Sequence, residues 1–453
     1  MARPALLEAA ASAALRAASP EQVAALNRDL VEALGPGGVS TVEAARRAAS
    51  TDFAHMSPIL TAALPDRPAD LVAYPTTAEE VVTAVRLAHL HRVPVTPRGR
   101  GTGNYGQAVP LAGGLVLDLT RCARVLQAGD GWLRADAGTS FVELEAAARA
   151  VGQELAMFPT TVGSSLGGFL AGGAGGVGSV ANGWLWDGYV VSLEVVTCPP
   201  ARLLTVHGGQ CRPYLHAYGV TGIIAAATVR LVAARDWVAV LASFPDYEAA
   251  TEAGLAVLRH EPAPRLISID DPALVATYPP DPAMPPDRVS LRAVIDSTDS
   301  TSTRKAVEAV GGRVEDVRPD GAGYLTTFAF NHVTLRALRA RPELCHLQVS
   351  GEALLTRPDE VRAALPGAML HLDGLRAYLD PADPAAGRGF GGLLLSEFRD
   401  AETLYRGIDR LTALGVHVVD PHTWLLGGPA LPAIAEAAAR NDPDGLLNPG
   451  KLP

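Results

Sequence analysis

The sequence predicts an α+β protein made of two α+β domains in series, and three observations carry that expectation. Its 453 residues exceed one small domain, and a prior of about 100–200 residues per domain gives two to four folding units. Short apolar runs alternate with helical periodicity from residue 71 onward, and the pattern restarts after residue 236. The composition, 48% hydrophobic and 19% charged, is that of a globular chain, yet its 45 glycines cluster in two stretches, 97–106 and 159–178. Such clustering marks backbone that must approach something closely.

Residues 1–65 read as helical material, opening on an amphipathic helix and broken at Gly35-Pro36-Gly37-Gly38. Residues 71–75 read as a strand and 77–91 as a helix with Val81, Val82, Val85 and Ala88 on one face. Thr77 followed by Glu80 is a capping-box signature. Residues 94–97, 113–119 and 133–138 read as strands, and 140–151 as a helix with Ser140 and Glu143 as a second box. Residues 190–197 and 201–206 form a strand pair around a Cys198-Pro199-Pro200-Ala201 turn, and 222–232 is a further strand. The first domain is thus expected over 66–235.

From Trp237 the order is strand, helix (247–260), strand, a proline-rich loop at 279–286, strand, helix (302–310) and strand. Later runs at 346–351, 368–375, 391–398 and 416–420 suggest an antiparallel sheet with helices on one face, giving a second domain over 236–425. A helix over 430–440 leads into a segment whose Pro, Gly and Asn density excludes regular structure, within a closing piece 426–453.

Charge excludes some partners. The net charge is −10, lysine occurs only at Lys305 and Lys451, and Arg46-Arg47 is too short a basic run, so no nucleic-acid partner is expected. Glu8 and Arg16 interrupt the apolar opening that a leader would need, and no charge-free run of spanning length is present outside glycine-rich sequence, so membrane insertion is not expected. Cys122, Cys198, Cys211 and Cys345 form no CxxC and no metal or disulfide spacing, which suits a reducing, cytoplasmic compartment. No metal is expected.

The first glycine stretch contains Gly101-Thr102-Gly103-Asn104-Tyr105-Gly106, a literal GxGxxG. A dinucleotide fingerprint needs a helix opening at the glycines. Here Pro110, Gly113 and Gly114 forbid one, and Gly173-Ala174-Gly175-Gly176-Val177-Gly178 repeats the mismatch. The alternative is a pair of non-helical nests, in which consecutive amides in turn conformations converge on phosphate. Arg98, Arg100 and the hydroxyls of Thr102, Ser164 and Ser165 would add donors, so two such loops would grip an extended diphosphate from both sides.

At these residues the chain resembles the PCMH-type FAD-binding domain of the vanillyl-alcohol oxidase and FAD-linked oxidase superfamily. The resemblance is carried by residues 74–81 (Tyr-Pro-Thr-Thr-Ala-Glu-Glu-Val), 97–103 (Pro-Arg-Gly-Arg-Gly-Thr-Gly), the stretch 159–179, residues 218–224 (Tyr-Gly-Val-Thr-Gly-Ile-Ile) and 442–451 (Asp-Pro-Asp-Gly-Leu-Leu-Asn-Pro-Gly-Lys). It implies a two-subdomain FAD-binding domain and a substrate-side cap. It further implies FAD contacts at Pro97, Arg98, Gly99, Arg100, Gly101, Thr102, Gly103 and Asn104, and at Pro159, Thr160, Thr161, Val162, Gly163, Ser164, Ser165, Gly167 and Gly168. Gly222, Ile223, Ile224 and Asn448 complete that set. Many relatives tether FAD through a His in the first loop, and bicovalent ones add a Cys. The matching positions here are Thr102 and Phe158, which implies non-covalent FAD.

The chemistry implied is hydride transfer from a small alcohol or 2-hydroxy acid to the flavin, aided by a base. His332, in Phe330-Asn331-His332, and His422, in Asp420-Pro421-His422-Thr423-Trp424, resemble phrases of hydroxy-acid-dehydrogenase-like relatives. Arg376 and Tyr378 are candidates to receive a substrate carboxylate. The HxGDGNxH-like metal motif of many D-lactate and glycolate dehydrogenases has no match; His346 and His371 stand in poor substitutes for it. The partners expected are a small-molecule substrate and an electron acceptor that the sequence does not name. A flavin-binding relay subunit of a larger complex is the competing reading, so a partner subunit is allowed for.

Overall fold

Ser19 starts the first helix, α1 (Pro20–Leu34): its hydroxyl accepts the Gln22 amide, and Gln22 returns the bond to close a capping box. The computed structural model describes residues 15–453 apart from 378, 381 and 384. The amphipathic helix expected at the opening, and Tyr378, therefore lie outside the described residues. Residues up to 65 are not wholly helical, since β1 (Val39–Ser40) pairs antiparallel with β2 (Leu71–Ala73). A two-residue strand is too short to leave a period in the sequence.

From β2 the chain enters α2 (Ala78–Leu90) and then β3 (Val95–Arg98), while β4 (Leu115–Asp118) inserts between the two strands to give the order β1-β2-β4-β3. The Thr77 box forms only by half. Its hydroxyl accepts the Glu80 amide, but the Glu80 carboxylate accepts instead from the amide (2.6 Å) and hydroxyl (2.9 Å) of Thr76. A second sheet contains β5 (Val125–Gly129), β6 (Trp132–Asp136), β7 (Gln153–Leu155), β8 (Val190–Thr197), β9 (Arg202–His207) and β10 (Ile223–Ala233), ordered β5-β6-β10-β8-β9 with β7 also on β10. The Ser140–Glu143 box on α3 (Phe141–Arg149) is complete, and Thr197 pairs with Arg202 across the expected turn. Leu71, Val85, Leu133, Leu193 and Val229 join the two sheets through one core.

The second glycine stretch departs from expectation. Residues after Ser165 form a helix, α4 (Leu166–Gly172), and a short helical turn, Ser179–Asn182, follows Gly178. Glycine costs about 1 kcal/mol per helical position. Burial of Leu166, Phe169 and Leu170 offsets it.

The second domain is one antiparallel sheet of β11 (Trp237–Phe244), β12 (Leu266–Asp270), β13 (Val289–Asp296), β14 (Arg313–Arg318), β15 (Leu344–Ser350), β16 (Met369–Arg376), β17 (Arg388–Glu397) and β18 (His417–Val419). Their order is β14-β11-β13-β12-β16-β17-β15-β18. Helices α5 (Tyr247–Leu258), α6 (Ser300–Ala309), α7 (Asn331–Ala340) and α8 (Ala401–Ala413) accompany it, and α9 (Leu431–Asn441) follows. Helices lie on both faces, not on one as expected: α5, α6 and α8 pack on Val240, Leu291, Leu347 and Leu372. The opposite face packs against α7 and against Val177 of the second glycine stretch. Side chains alternate along a strand. On β15, Cys345 and Leu347 therefore enter the helix-covered core, while His346 and Gln348 face the first domain.

Candidate cofactor site and its junction with the second domain

The two glycine loops meet at Gly99 and Ser165. A Cβ at Gly99 would run into Ser165 Oγ, so only glycine permits this approach. Ser165 is buried, and its hydroxyl has no hydrogen-bond partner. None of the amides of Arg100, Gly101, Thr102, Gly103 and Asn104, nor those of Thr161, Gly163 and Ser165, donates to an acceptor among the described residues. Gly101 takes φ +65°. A run of free amides at turn geometry, with an orphaned buried hydroxyl between two loops, is a donor array fitted to a diphosphate. FAD fits these residues.

Three segments hold the array. Arg98 Nη1 donates to the Thr51 carbonyl at 2.5 Å, and the Phe53 amide donates to the Gly103 carbonyl at 2.7 Å. His216 and Tyr218 donate their amides to the carbonyls of Leu170 and Ala171 in α4. Asn448 Nδ2 donates to the carbonyls of Gln107 (2.9 Å) and Tyr218 (2.7 Å), and its amide donates to Val95. The structure thus brings Asn448 to the loops, with its side-chain amide tying the loop to the 218 segment. Gly222 precedes β10, which Ile223 and Ile224 open by pairing with β8, while Gly219 packs against Pro97.

The first loop also reaches the second domain. Tyr105 Oη accepts from Asn331 Nδ2 (2.9 Å) and Gln348 Nε2 (2.7 Å), and its ring lies 6.5 Å from that of His346. Burial pushes the Tyr105 phenol up to about 12. His422 stands beside the same place. Its Nδ1 is 2.7 Å from Ser57 Oγ, its amide donates to Asp420 Oδ1, and Nε2 has no partner. The backbone of His346 adjoins this ring without meeting hydrogen-bond geometry at Nε2. Burial holds His422 below the usual histidine range. It also pushes His346 down to about 3, with both ring nitrogens unpartnered.

His332 follows Asn331 on α7, with Nδ1 buried and unpartnered and its pKa lowered by burial and then by Arg336. Arg376 is not part of this junction. Met369 is level with His346 through Leu395, and Arg376 lies at the far end of β16, roughly 23 Å away at about 3.3 Å per residue. There it donates to the carbonyls of Ala386, Ala181 and Asp383, beside an interdomain cavity of about 590 Å³ that Glu154, Trp237 and Arg388 also line.

Sequence reading gave no site role to Tyr105, Ser57, Gln348, Asp52 and Lys451, and weighed His346 only as a poor substitute for a metal ligand. Two of them had a signal. Tyr105 is the one aromatic in the first loop, and Lys451 is one of only two lysines. Among the described residues, no group of three or more His, Cys, Asp and Glu could hold a metal ion, and no helix is long and apolar enough to cross a membrane.

The fold and the paired loops define an FAD-binding domain of the kind found in FAD-linked oxidoreductases, with FAD as its cofactor. Residues 69–206 match the FAD binding domain family. A probable mitochondrial D-lactate dehydrogenase of Danio rerio is 30% identical over 223 residues, 45% of this chain and 44% of that protein. A D-lactate dehydrogenase of Archaeoglobus fulgidus is 30% identical over 200 residues, 42% of this chain and 45% of that protein. A D-2-hydroxyglutarate dehydrogenase of Xanthomonas citri pv. viticola is 34% identical over 172 residues, 35% and 36% of the two chains. The chain spans less than half the length of each of these relatives. A solved alkyldihydroxyacetonephosphate synthase covers 97% of this chain and 86% of its own at a TM-score of 0.74 and 18% identity, which shows a shared fold.

Proposed function

We propose that the protein is an FAD-dependent dehydrogenase or oxidase acting on the CH–OH group of a small alcohol or 2-hydroxy acid. The observation that carries this reading is the junction at Tyr105. A residue of the FAD loop is bonded there by two side chains of the second domain, beside two buried histidines with unpartnered ring nitrogens. The relatives named D-lactate and D-2-hydroxyglutarate dehydrogenases support the substrate class.

The free amides of the first loop, those of Thr161, Gly163 and Ser165, and the Ser165 hydroxyl would hold the diphosphate. Bound FAD supplies a two-electron acceptor for the hydride. His422 is the proposed base. With Nδ1 protonated and donating to Ser57 Oγ, Nε2 keeps its lone pair for the substrate hydroxyl proton. Burial lowers its pKa, so the imidazole is neutral and able to accept at pH 7. Asp420, whose carboxylate accepts the His422 amide and the Tyr405 hydroxyl, stabilises the imidazolium that forms. His332 is the second candidate, one helical step from Asn331.

Anaerobic mixing of the FAD-loaded protein with D-lactate, D-2-hydroxyglutarate, glycolate, simple alcohols and sugars tests this. At least one should bleach the flavin. His422→Ala should keep its FAD and reduce it on the order of 10²–10⁴-fold more slowly, the range of a positioned base. A panel that leaves the flavin oxidised would overturn the CH–OH assignment.

A further inference from the structure

We propose that His346 is a second substrate-contacting residue, and that with His422 and Tyr105 it forms a receptor for one unionised hydroxyl oxygen; this rests on the CH–OH reading above. His346 is only 2% exposed and His422 only 1%. Both nitrogens of the first and Nε2 of the second have no partner. Buried polar side-chain atoms are nearly always bonded, and one left unbonded forfeits its hydration without return. Three such atoms on neighbouring rings, at the meeting of the FAD loop and the second domain, point to a partner that the described residues do not provide.

The hydrogen-bond inventory sets the chemistry of that partner. A neutral imidazole has one N–H donor and one lone-pair acceptor. Tyr105 Oη already accepts twice, from Asn331 and Gln348, and its own hydrogen has no acceptor among the described residues. The cluster therefore offers two kinds of donor, a phenol O–H and an imidazole N–H, together with two imidazole lone pairs, one on His346 and one at Nε2 of His422. An alcohol oxygen accepts two hydrogen bonds and donates one. A carboxylate only accepts, and would leave the Nε2 lone pair facing a negative oxygen. One hydroxyl bonds all three side chains at once, with the second His346 nitrogen outside the set. In this arrangement His422 takes the hydroxyl proton at Nε2, while His346 N–H and Tyr105 O–H hold the oxygen.

The test uses the full-length, FAD-loaded protein and reads binding from the perturbation of the flavin's visible spectrum, which needs no turnover. The probes are 1,2-propanediol, with hydroxyls and no carboxylate, and propionate, with a carboxylate and no hydroxyl. Propanediol should give a saturable shift, weakened at least 10-fold in His346→Leu and restored in part in His346→Gln. Propionate should give none. Because the His346 side chain makes no hydrogen bond among the described residues, His346→Leu should melt at or above the wild-type temperature, the reverse of what a structural histidine would show. Propionate binding as well as propanediol, unaltered propanediol affinity in His346→Leu, or a destabilised His346→Leu that still binds propanediol would each overturn the proposal. If propanediol binds as expected while no alcohol or hydroxy acid reduces the flavin, the hydroxyl receptor stands and the oxidation reading falls.

Discussion

Lys451 carries its ammonium group into the protein and donates to the carbonyls of Gly106, at 2.6 Å, and Val109, at 3.0 Å, so that the first FAD loop is pinned from beneath by a fully buried side chain. Asp52 packs against the same loop. It is half-buried, with Oδ2 buried and unpartnered among the described residues, 3.5 Å from where a Cβ on Gly103 would stand. Burial pushes Lys451 down to about 7 against the pull of Asp52, and pushes the Asp52 carboxyl up. With Phe53 bonded to Gly103 and Asn448 to Gln107, the loop takes its shape from segments nearly four hundred residues apart in sequence.

Replacing Lys451 tests this pin. In Lys451→Met, two loop carbonyls lose their donor inside the protein, and a buried group left without its partner costs about 1–3 kcal/mol. Part of that cost falls on the loop's geometry. FAD affinity, followed by fluorescence quenching as apoprotein is titrated, should weaken about 10-fold, the equivalent of roughly 1.4 kcal/mol. Asp52→Asn should weaken it less, since the amide leaves Lys451 bonded to both carbonyls. Unchanged affinity in a folded Lys451→Met protein would remove Lys451 from the site.

Gly99 provides an independent handle. In Gly99→Ala the new methyl meets Ser165 Oγ, with Ser165 Cβ 3.2 Å away, and the loops must part. Overpacking of this kind costs about 1–3 kcal/mol. FAD affinity should fall, and Gly99→Ala combined with Ser165→Gly should bind better than Gly99→Ala alone, because the colliding side chain is gone. If the double variant binds no better, the two loops are not in the contact described.

These contacts also show where sequence reading stops. The strands and capped helices of the first domain were legible because their signals are local: a β-branched run at residues 190–197 closed by a proline turn, and a box closed within four residues at Ser140–Glu143. The Gly99–Ser165 contact was approachable because glycine spacing marks close backbone. Helix α4 was hidden by the same glycines, its stability coming from tertiary burial rather than propensity. Tyr105 with Asn331 and Gln348 had no local trace, since pairs 226 and 243 residues apart share no period. His346 was legible as a residue and illegible as a site. Only the pairing of β15 with β18 sets it beside the segment carrying His422.

His371 sets a pH dependence for the second domain. Its Nδ1 is 2.5 Å from Asp270 and its Nε2 is 2.8 Å from Asp373, while Arg292 bonds Asp270 at 2.7 Å and Asp373 also holds the Phe330 amide at 2.9 Å. Burial alone would lower the histidine, but the carboxylates of Asp373 and Asp270 outweigh it and push His371 up to about 9. A pKa raised on folding stabilises the protein fully below the unfolded value of about 6.5 and no longer above the folded one. Stability should therefore fall between about pH 6.5 and 9, by on the order of 3 kcal/mol at about 1.4 kcal/mol per pH unit. Chemical denaturation at pH 6, 7.5 and 9 measures it. In His371→Gln this part of the slope should be absent, and a slope unchanged in that variant would refute the assignment.

The attachment of FAD can be settled without knowing the substrate. A flavin tether needs a nucleophilic side chain, a histidine nitrogen or cysteine sulfur, at the isoalloxazine. The two positions matching the tether sites of the resembled family hold Thr102, a hydroxyl in the first loop, and Phe158, an aromatic ring with Arg265 stacked 4.8 Å above it. Neither offers such an atom. The four cysteines are buried, and burial pushes all four thiols up, to between about 11 and 12, so each stays protonated and unreactive at neutral pH. Acid precipitation should thus leave a colourless pellet and all the flavin in the supernatant. Introducing Thr102→His supplies the missing nucleophile at the first position, and its pellet should retain some colour if that position reaches the ring. A yellow wild-type pellet would mean that a different side chain forms the bond, and the non-covalent assignment would be withdrawn.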